Sequence, residues 1–225
     1  MHQVPTDHGP ARLHVDAALG RPRALVVLGH GAGGGVAARD LAALAVGLPS
    51  HGITVVRVEQ PWRVAGRRIA PAPALLDAAW LPAVRAAVSA VPGVPLVVGG
   101  RSAGARVACR CAAATAAAGV LALGFPLHPP GRPERSRAGE LAVRVPLLVV
   151  QGERDAFGRP EEFAGVEVVA IPAADHSFAV PRRGPLTHGE VDSLLVAAVV
   201  NWMSPWARRR SGRESATRAL ALPPA

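Results

Sequence analysis

The sequence predicts an α/β fold, a mostly parallel central sheet with helices on both faces, and two observations carry that prediction. Short apolar runs rich in Val and Leu alternate along the chain with longer stretches that read as helices. In most of these runs several apolar residues follow one another directly, with few polar positions between. Strands of that kind are buried on both faces, as they are in parallel sheets. At 225 residues the chain suits one domain with a full core.

The strands are expected at ALVVL (24–28), ITVVRV (53–58), PLVVGG (95–100), GVLALGF (119–125), PLLVVQG (146–152) and VEVVAI (166–171). Helices are expected in VAARDLAALAVGLPS after the first strand, ALLDAAWLPAVRAAVSAV after the second and SAGARVACRCAAATAAA after the third. A last helix falls in GEVDSLLVAAVVNWM. The loop RVAGRRIAPAP follows the second strand, and no insertion is long enough for more than a minimal lid. We place the single domain at 1–204. The basic stretch 205–225, PWARRRSGRESATRALALPPA, has no periodic pattern and is expected to be a disordered tail.

Composition narrows the class. Half of the residues are hydrophobic, in runs punctuated by Gly and Pro, which is a globular pattern. The longest unbroken apolar stretch, LLVAAVV from residue 194, is far shorter than the roughly 20 residues a membrane helix needs. The opening residues carry no basic segment followed by an apolar one. A cytoplasmic protein without a membrane partner is expected.

The net charge of +9 and pI near 11.5 invite a nucleic-acid reading. Yet the chain has no lysine and no tyrosine, and Ala, Arg, Gly and Pro dominate it. Such a bias is that of a GC-rich coding background. The arginines are scattered apart from the tail, so a nucleic-acid partner is not expected. Cys109 and Cys111 stand two apart in a helical stretch, where side chains do not face each other, so buried thiols are expected rather than a bridge or a shared metal. Neither a metal site nor a cofactor is implied, and oligomeric state leaves no mark on the sequence.

The chemistry concentrates at strand ends. In Gly100-Arg101-Ser102-Ala103-Gly104 an apolar strand turns straight into a helix, the context that gives G-x-S-x-G its meaning. Ser102 would occupy a strained elbow with its hydroxyl clear of the sheet, and the flanking glycines would let neighbouring backbone pass close. A serine nucleophile needs a base, and the base an orienting acid. Asp155 follows the fifth of these strands and His176 the sixth, in the order Ser, acid, His. Glu153 and Asp175 are the competing acids, and His30, His128 and His188 the competing histidines.

The glycine cluster GHGAGGG (29–35) admits two readings. As G-x-G-x-x-G it would bind a dinucleotide, with Glu59 as the ribose acid. As an oxyanion loop it would direct the N–H of Ala32 or Gly33 at a carbonyl oxygen, with the Ala103 N–H as second donor. Only the second reading also accounts for Ser102, Asp155 and His176.

These motifs resemble the α/β-hydrolases. Together with EQPWRVAGRR (59–68), PLHPPGRPE (126–134), QGERDAFG (151–158) and ADHSF (174–178), they resemble the small group around testis-expressed protein 30 and the NSL-complex subunit 3 hydrolase-like domain, near the dienelactone-hydrolase branch. The resemblance runs from about Ala24 to Asn201. It implies the fold and a Ser–Asp–His apparatus, not a substrate. Where the family pattern often has Met and Gly, this chain has Ala103 and Ala105. The first serves through its N–H, which any residue but proline supplies.

The expected function is therefore hydrolysis of an ester, thioester or similar acyl bond in a small molecule. A non-catalytic scaffold of the same fold is the alternative, and a dinucleotide-dependent oxidoreductase a remote one. Trp62, Arg67, Arg101 and His128 are expected at the substrate, with His128 alternatively fixing the PLHPPG loop. Arg63, Arg67, Arg68 and Arg101 would suit a carboxylate or phosphate on the substrate unless they pair with Glu59, Asp77 or solvent.

Overall fold

Eight strands form one sheet in the order β1-β2-β4-β3-β5-β6-β7-β8 in the computed structural model, which describes residues 2–207. They are β1 (His2–Val4), β2 (Ala11–Asp16), β3 (Ala24–Gly29), β4 (Ile53–Glu59), β5 (Leu96–Arg101), β6 (Gly119–Leu123), β7 (Leu147–Gly152) and β8 (Glu167–Ile171). Strands β3 to β8 are the six apolar runs, each parallel to its neighbours within that set.

Strands β1 and β2 were not among the expected elements. They add an antiparallel edge beside β4. The signal for β2 is alternation rather than a continuous run: Ala11 and Leu13 are buried, while Arg12 and His14 reach across to Glu59. A half-buried strand of period two is quieter in sequence than a doubly buried one.

The helices are α1 (Arg39–Gly47), α2 (Pro61–Val64), α3 (Pro73–Ala90), α4 (Ala103–Cys111) and α5 (His188–Ala207). Successive residues of β3 serve opposite faces. Leu25 and Val27 join the core under α3 and α4, while Ala24, Val26 and Leu28 join the core under α1 and α5. The short helix α2 falls partly in what reads as loop; Pro61 opens it at a position where a missing N–H does no harm.

The last helix extends past residue 204. Helix α5 runs through Pro205 to Ala207 because Trp206 stacks edge-on against Trp202 one turn back, ring centroids 4.9 Å apart, with both rings against Gly119. The rest of the basic tail lies outside the described residues. Among those described, no helix is long and apolar enough to cross a membrane. Cys109 and Cys111 are both buried and free, and burial pushes each thiol up to about 12.

Candidate active site

The carboxyl ends of β5, β7 and β8 point the same way, but neighbouring strands stand about 4.8 Å apart. From β5 to β8 that is roughly 14 Å, three strand spacings, and no histidine side chain spans it. The loop after β8 closes the distance. It turns back through positive φ at Ala173 and Phe178, and brings the His176 carbonyl and ring against Gly124 at the end of β6.

Ser102 leads from β5 into α4 with φ 52° and ψ −116°, a conformation L residues rarely adopt. Its surroundings hold it there. The Ser102 N–H donates to the Leu123 carbonyl at 2.9 Å. Gly100 and Gly104 pack so closely on the Gly29 backbone that a Cβ at either would collide with it. Close approach, the property expected of these glycines, is what the elbow uses.

Ser102 Oγ lies 3.0 Å from His176 Nε2, and His176 Nδ1 lies 2.8 Å from Asp155 Oδ2. Buried Asp155 can only accept while ionised, so Nδ1 carries the proton and Nε2 offers its lone pair to the serine hydroxyl. Asp155 is itself oriented: its Oδ1 accepts from the Phe157 N–H at 2.8 Å and its Oδ2 from Gln151 Nε2 at 2.8 Å. The Phe157 ring lies 4.3 Å from the His176 ring, centroid to centroid. The competing acids have other partners. Asp175 Oδ1 accepts from the N–H groups of Ser177 and Ala179, and Glu153 accepts from the Ala173 N–H.

Two further residues shape the site, and neither was singled out for that purpose. Gln151 is fully buried; its Oε1 accepts from the Phe125 N–H while its Nε2 donates to Asp155 and to the Gly158 carbonyl. The one signal was a lone amide ending the apolar run PLLVVQG. His30 is buried beneath the glycine loop, accepting from the Gln60 N–H at Nε2 and donating from Nδ1 to the Gly31 carbonyl. Burial lowers its pKa below the ordinary histidine value, so it serves as a neutral brace. The loop it braces reaches the nucleophile: a Cβ on Gly31 would stand 3.3 Å from that of Ser102.

The expected substrate residues part ways. Arg101 is turned inward: its Nε donates to Asp40 at 3.0 Å and its Nη2 to the His176 carbonyl at 2.9 Å. Asp40 is 1 % exposed and cannot be left without a cation, so Arg101 braces the histidine loop instead of reaching toward substrate. Arg67 is exposed on the turn after α2 and takes no part in the hydrogen bonds around Ser102. His128 bonds the Pro129 carbonyl and Glu162, which holds the PLHPPG loop and raises its pKa, the carbonyl first. Trp62 alone remains beside the site, buried, 5.5 Å from the His30 ring and with Arg63 over its outer face. Glu59 pairs with Arg12 and His14, and Asp77 with Arg110, so neither acid takes the arginines considered for substrate. A groove of about 780 Å³ between α1 and α5 has none of these site residues in its walls.

A protein-family model described as an alpha/beta hydrolase domain matches residues 22–204. No curated protein sequence matches the chain. The fold is similar to that of an a/b serine hydrolase without lid from Xanthomonas campestris, at 21 % identity, TM-score 0.72, covering 89 % of this chain and 93 % of that one. It is also similar to a dienelactone hydrolase from Anabaena variabilis, at 18 % identity and TM-score 0.68, covering 92 % and 97 %. A third, Est1E from Butyrivibrio proteoclasticus, has 17 % identity and TM-score 0.67, covering 91 % and 98 %. At such identities the likeness is one of fold.

Proposed function

The chain belongs to the alpha/beta hydrolase family, and we propose that it is a serine hydrolase that cleaves an ester, thioester or similar acyl bond in a small molecule through an acyl-enzyme. One observation carries the reading: Ser102, His176 and Asp155 stand in a single hydrogen-bonded line with a positive-φ elbow under the serine.

In the first step Ser102 Oγ attacks the acyl carbonyl as His176 Nε2 takes its proton. Asp155 holds the ring with Nδ1–H inward and stabilises the imidazolium. The developing oxyanion is taken by the Ala103 N–H and by that of Ala32 or Gly33. Ala103 opens α4, so its N–H has no partner within the helix, and the dipole there favours negative charge. His176 then passes its proton to the leaving group. Water repeats the sequence on the acyl-enzyme, with His176 first as base and then as acid.

Within the family, PLHPPGRPE and QGERDAFG support a place in the small group around testis-expressed protein 30, and the reading is of a cytoplasmic enzyme. The test is labelling with a fluorophosphonate probe and mapping of the adduct by mass spectrometry. We expect modification of Ser102, and in Ser102→Ala a loss of ester turnover on the order of 10⁶. A folded protein that takes no adduct refutes the proposal and leaves the scaffold alternative.

A further inference from the structure

Behind the glycine loop, Gln60, α2, the start of α3 and the start of α4 enclose a small cavity of about 10 Å³. That is the room one water-sized group needs. Ala32 and Ala103, the backbone donors assigned above to the oxyanion, are both in its wall.

Three side-chain atoms among the described residues are buried without a hydrogen-bond partner: Gln60 Oε1, Trp62 Nε1 and Trp80 Nε1. All three residues line this one cavity, and all are more than nine-tenths buried. Buried polar atoms in folded proteins are nearly always satisfied, because leaving one unpaired forfeits its hydration for nothing. Three residues that carry such atoms line a single space, and the chemistry of those atoms describes the group that would satisfy them there.

Their chemistry is specific. An indole nitrogen only donates, so the two tryptophans present two N–H groups. The Gln60 amide is oriented by its own Nε2, which donates to the Leu76 carbonyl at 3.2 Å and leaves Oε1 as an acceptor. Two donors and one acceptor complement an alcohol hydroxyl, with its two lone pairs and one hydrogen. A methyl group would satisfy none of the three. A carboxylate would set its charge against Gln60 Oε1, and an ammonium would meet two N–H groups. His30 also lines the cavity, but both its ring nitrogens are engaged with Gln60 N–H and the Gly31 carbonyl.

We propose that this cavity is an acyl-side subsite for a hydroxyl group, and that the enzyme hydrolyses esters or thioesters of small hydroxy acids. The proposal rests on the serine-hydrolase reading of Ser102. With the carbonyl oxygen between the Ala32 and Ala103 N–H groups, a hydroxyl on the first or second carbon of the acyl chain enters the cavity. It donates to Gln60 and accepts from Trp62 and Trp80. Ester and water become hydroxy acid and alcohol, with no other reactant.

The test compares ethyl lactate with ethyl propionate, and ethyl 3-hydroxybutyrate with ethyl butyrate. Each kcat/KM is divided by the rate of hydroxide-catalysed hydrolysis to remove intrinsic reactivity. Fluorophosphonate labelling of Ser102 is measured on the same preparations of wild type, Trp62→Phe and Gln60→Leu. We expect wild type to favour at least one hydroxy ester by about 10²-fold or more, and each variant that still labels to lose most of that preference. Labelled wild type that treats both members of each pair equally overturns the subsite alone, and means that the cavity holds only water. A preference that survives intact in both variants places the hydroxyl elsewhere. Failure of wild type to label overturns the hydrolase reading and this proposal together.

Discussion

Replacing Arg101 by methionine tests how the histidine loop is held. The Arg101 side chain is 11 % exposed and its partner Asp40 1 %, with Nε 3.0 Å from Oδ2. Removing one partner of a buried pair leaves the other uncompensated, at a cost of about 3–5 kcal/mol. Asp40 sits in the first turn of α1, where the helix dipole favours its charge by about 0.3–1 kcal/mol. The expected loss for Arg101→Met is thus at the low end, about 3 kcal/mol at pH 8, a large share of the stability of an ordinary domain.

Burial already raises the Asp40 pKa above the ordinary carboxylate value, against the lowering effect of Arg101. Without Arg101 it rises further. A carboxylate raised in the folded state destabilises increasingly as pH climbs through its folded value, so the variant's deficit should shrink at pH 5. Urea unfolding at both pH values measures this. Asp40→Asn combined with Arg101→Met should recover much of the loss, since no buried charge remains. Loss of the bond to the His176 carbonyl should also lower ester turnover by about 10- to 10²-fold. A deficit under 1 kcal/mol for Arg101→Met at pH 8, with the double variant simply additive, would show that the pair does not hold the loop.

Two histidines should move stability in opposite directions with pH. His30 is lowered by burial, so its contribution is present above its unfolded value of 6.5 and lost as pH falls through the folded one. His128 is raised by the Pro129 carbonyl and then Glu162, so its contribution is present below 6.5 and lost as pH rises. Urea midpoints from pH 5 to 8 should flatten on the acid side in His30→Gln and on the alkaline side in His128→Gln; unchanged slopes would contradict the assignments. Cys109 and Cys111, with thiols pushed up to about 12, should resist iodoacetamide at pH 8 in the native protein and react fully in urea. Stoichiometric alkylation without denaturant would show that α4 opens.

Much of this architecture is local and therefore legible. The parallel strands announce themselves as short apolar runs, most plainly β3, β5, β6 and β7, because burial on both faces demands apolar residues at successive positions. Ser102, Asp155 and His176 stand at strand ends in a fixed chain order, each marked by glycine or turn residues. The edge strand β2 was quieter because only one of its faces is buried, and its polar face is decorated by Arg12 and His14. The final turn of α5 was hidden because Pro205 reads as a stop, whereas Trp202 and Trp206 packed on Gly119 carry the helix past it.

By itself the sequence determined the order of the six parallel strands along the chain, the elbow and the three residues that meet there, since each is marked by neighbours within a few positions. Only the tertiary structure decided what the polar side chains are for. Arg101 looked available to substrate until Asp40, 61 residues away in sequence, came to lie beneath it. Gln151, His30 and the Gln60–Trp62–Trp80 cavity likewise take their roles from partners on other elements. A side chain's charge is written in the chain, but its solvation and its partner are properties of the fold.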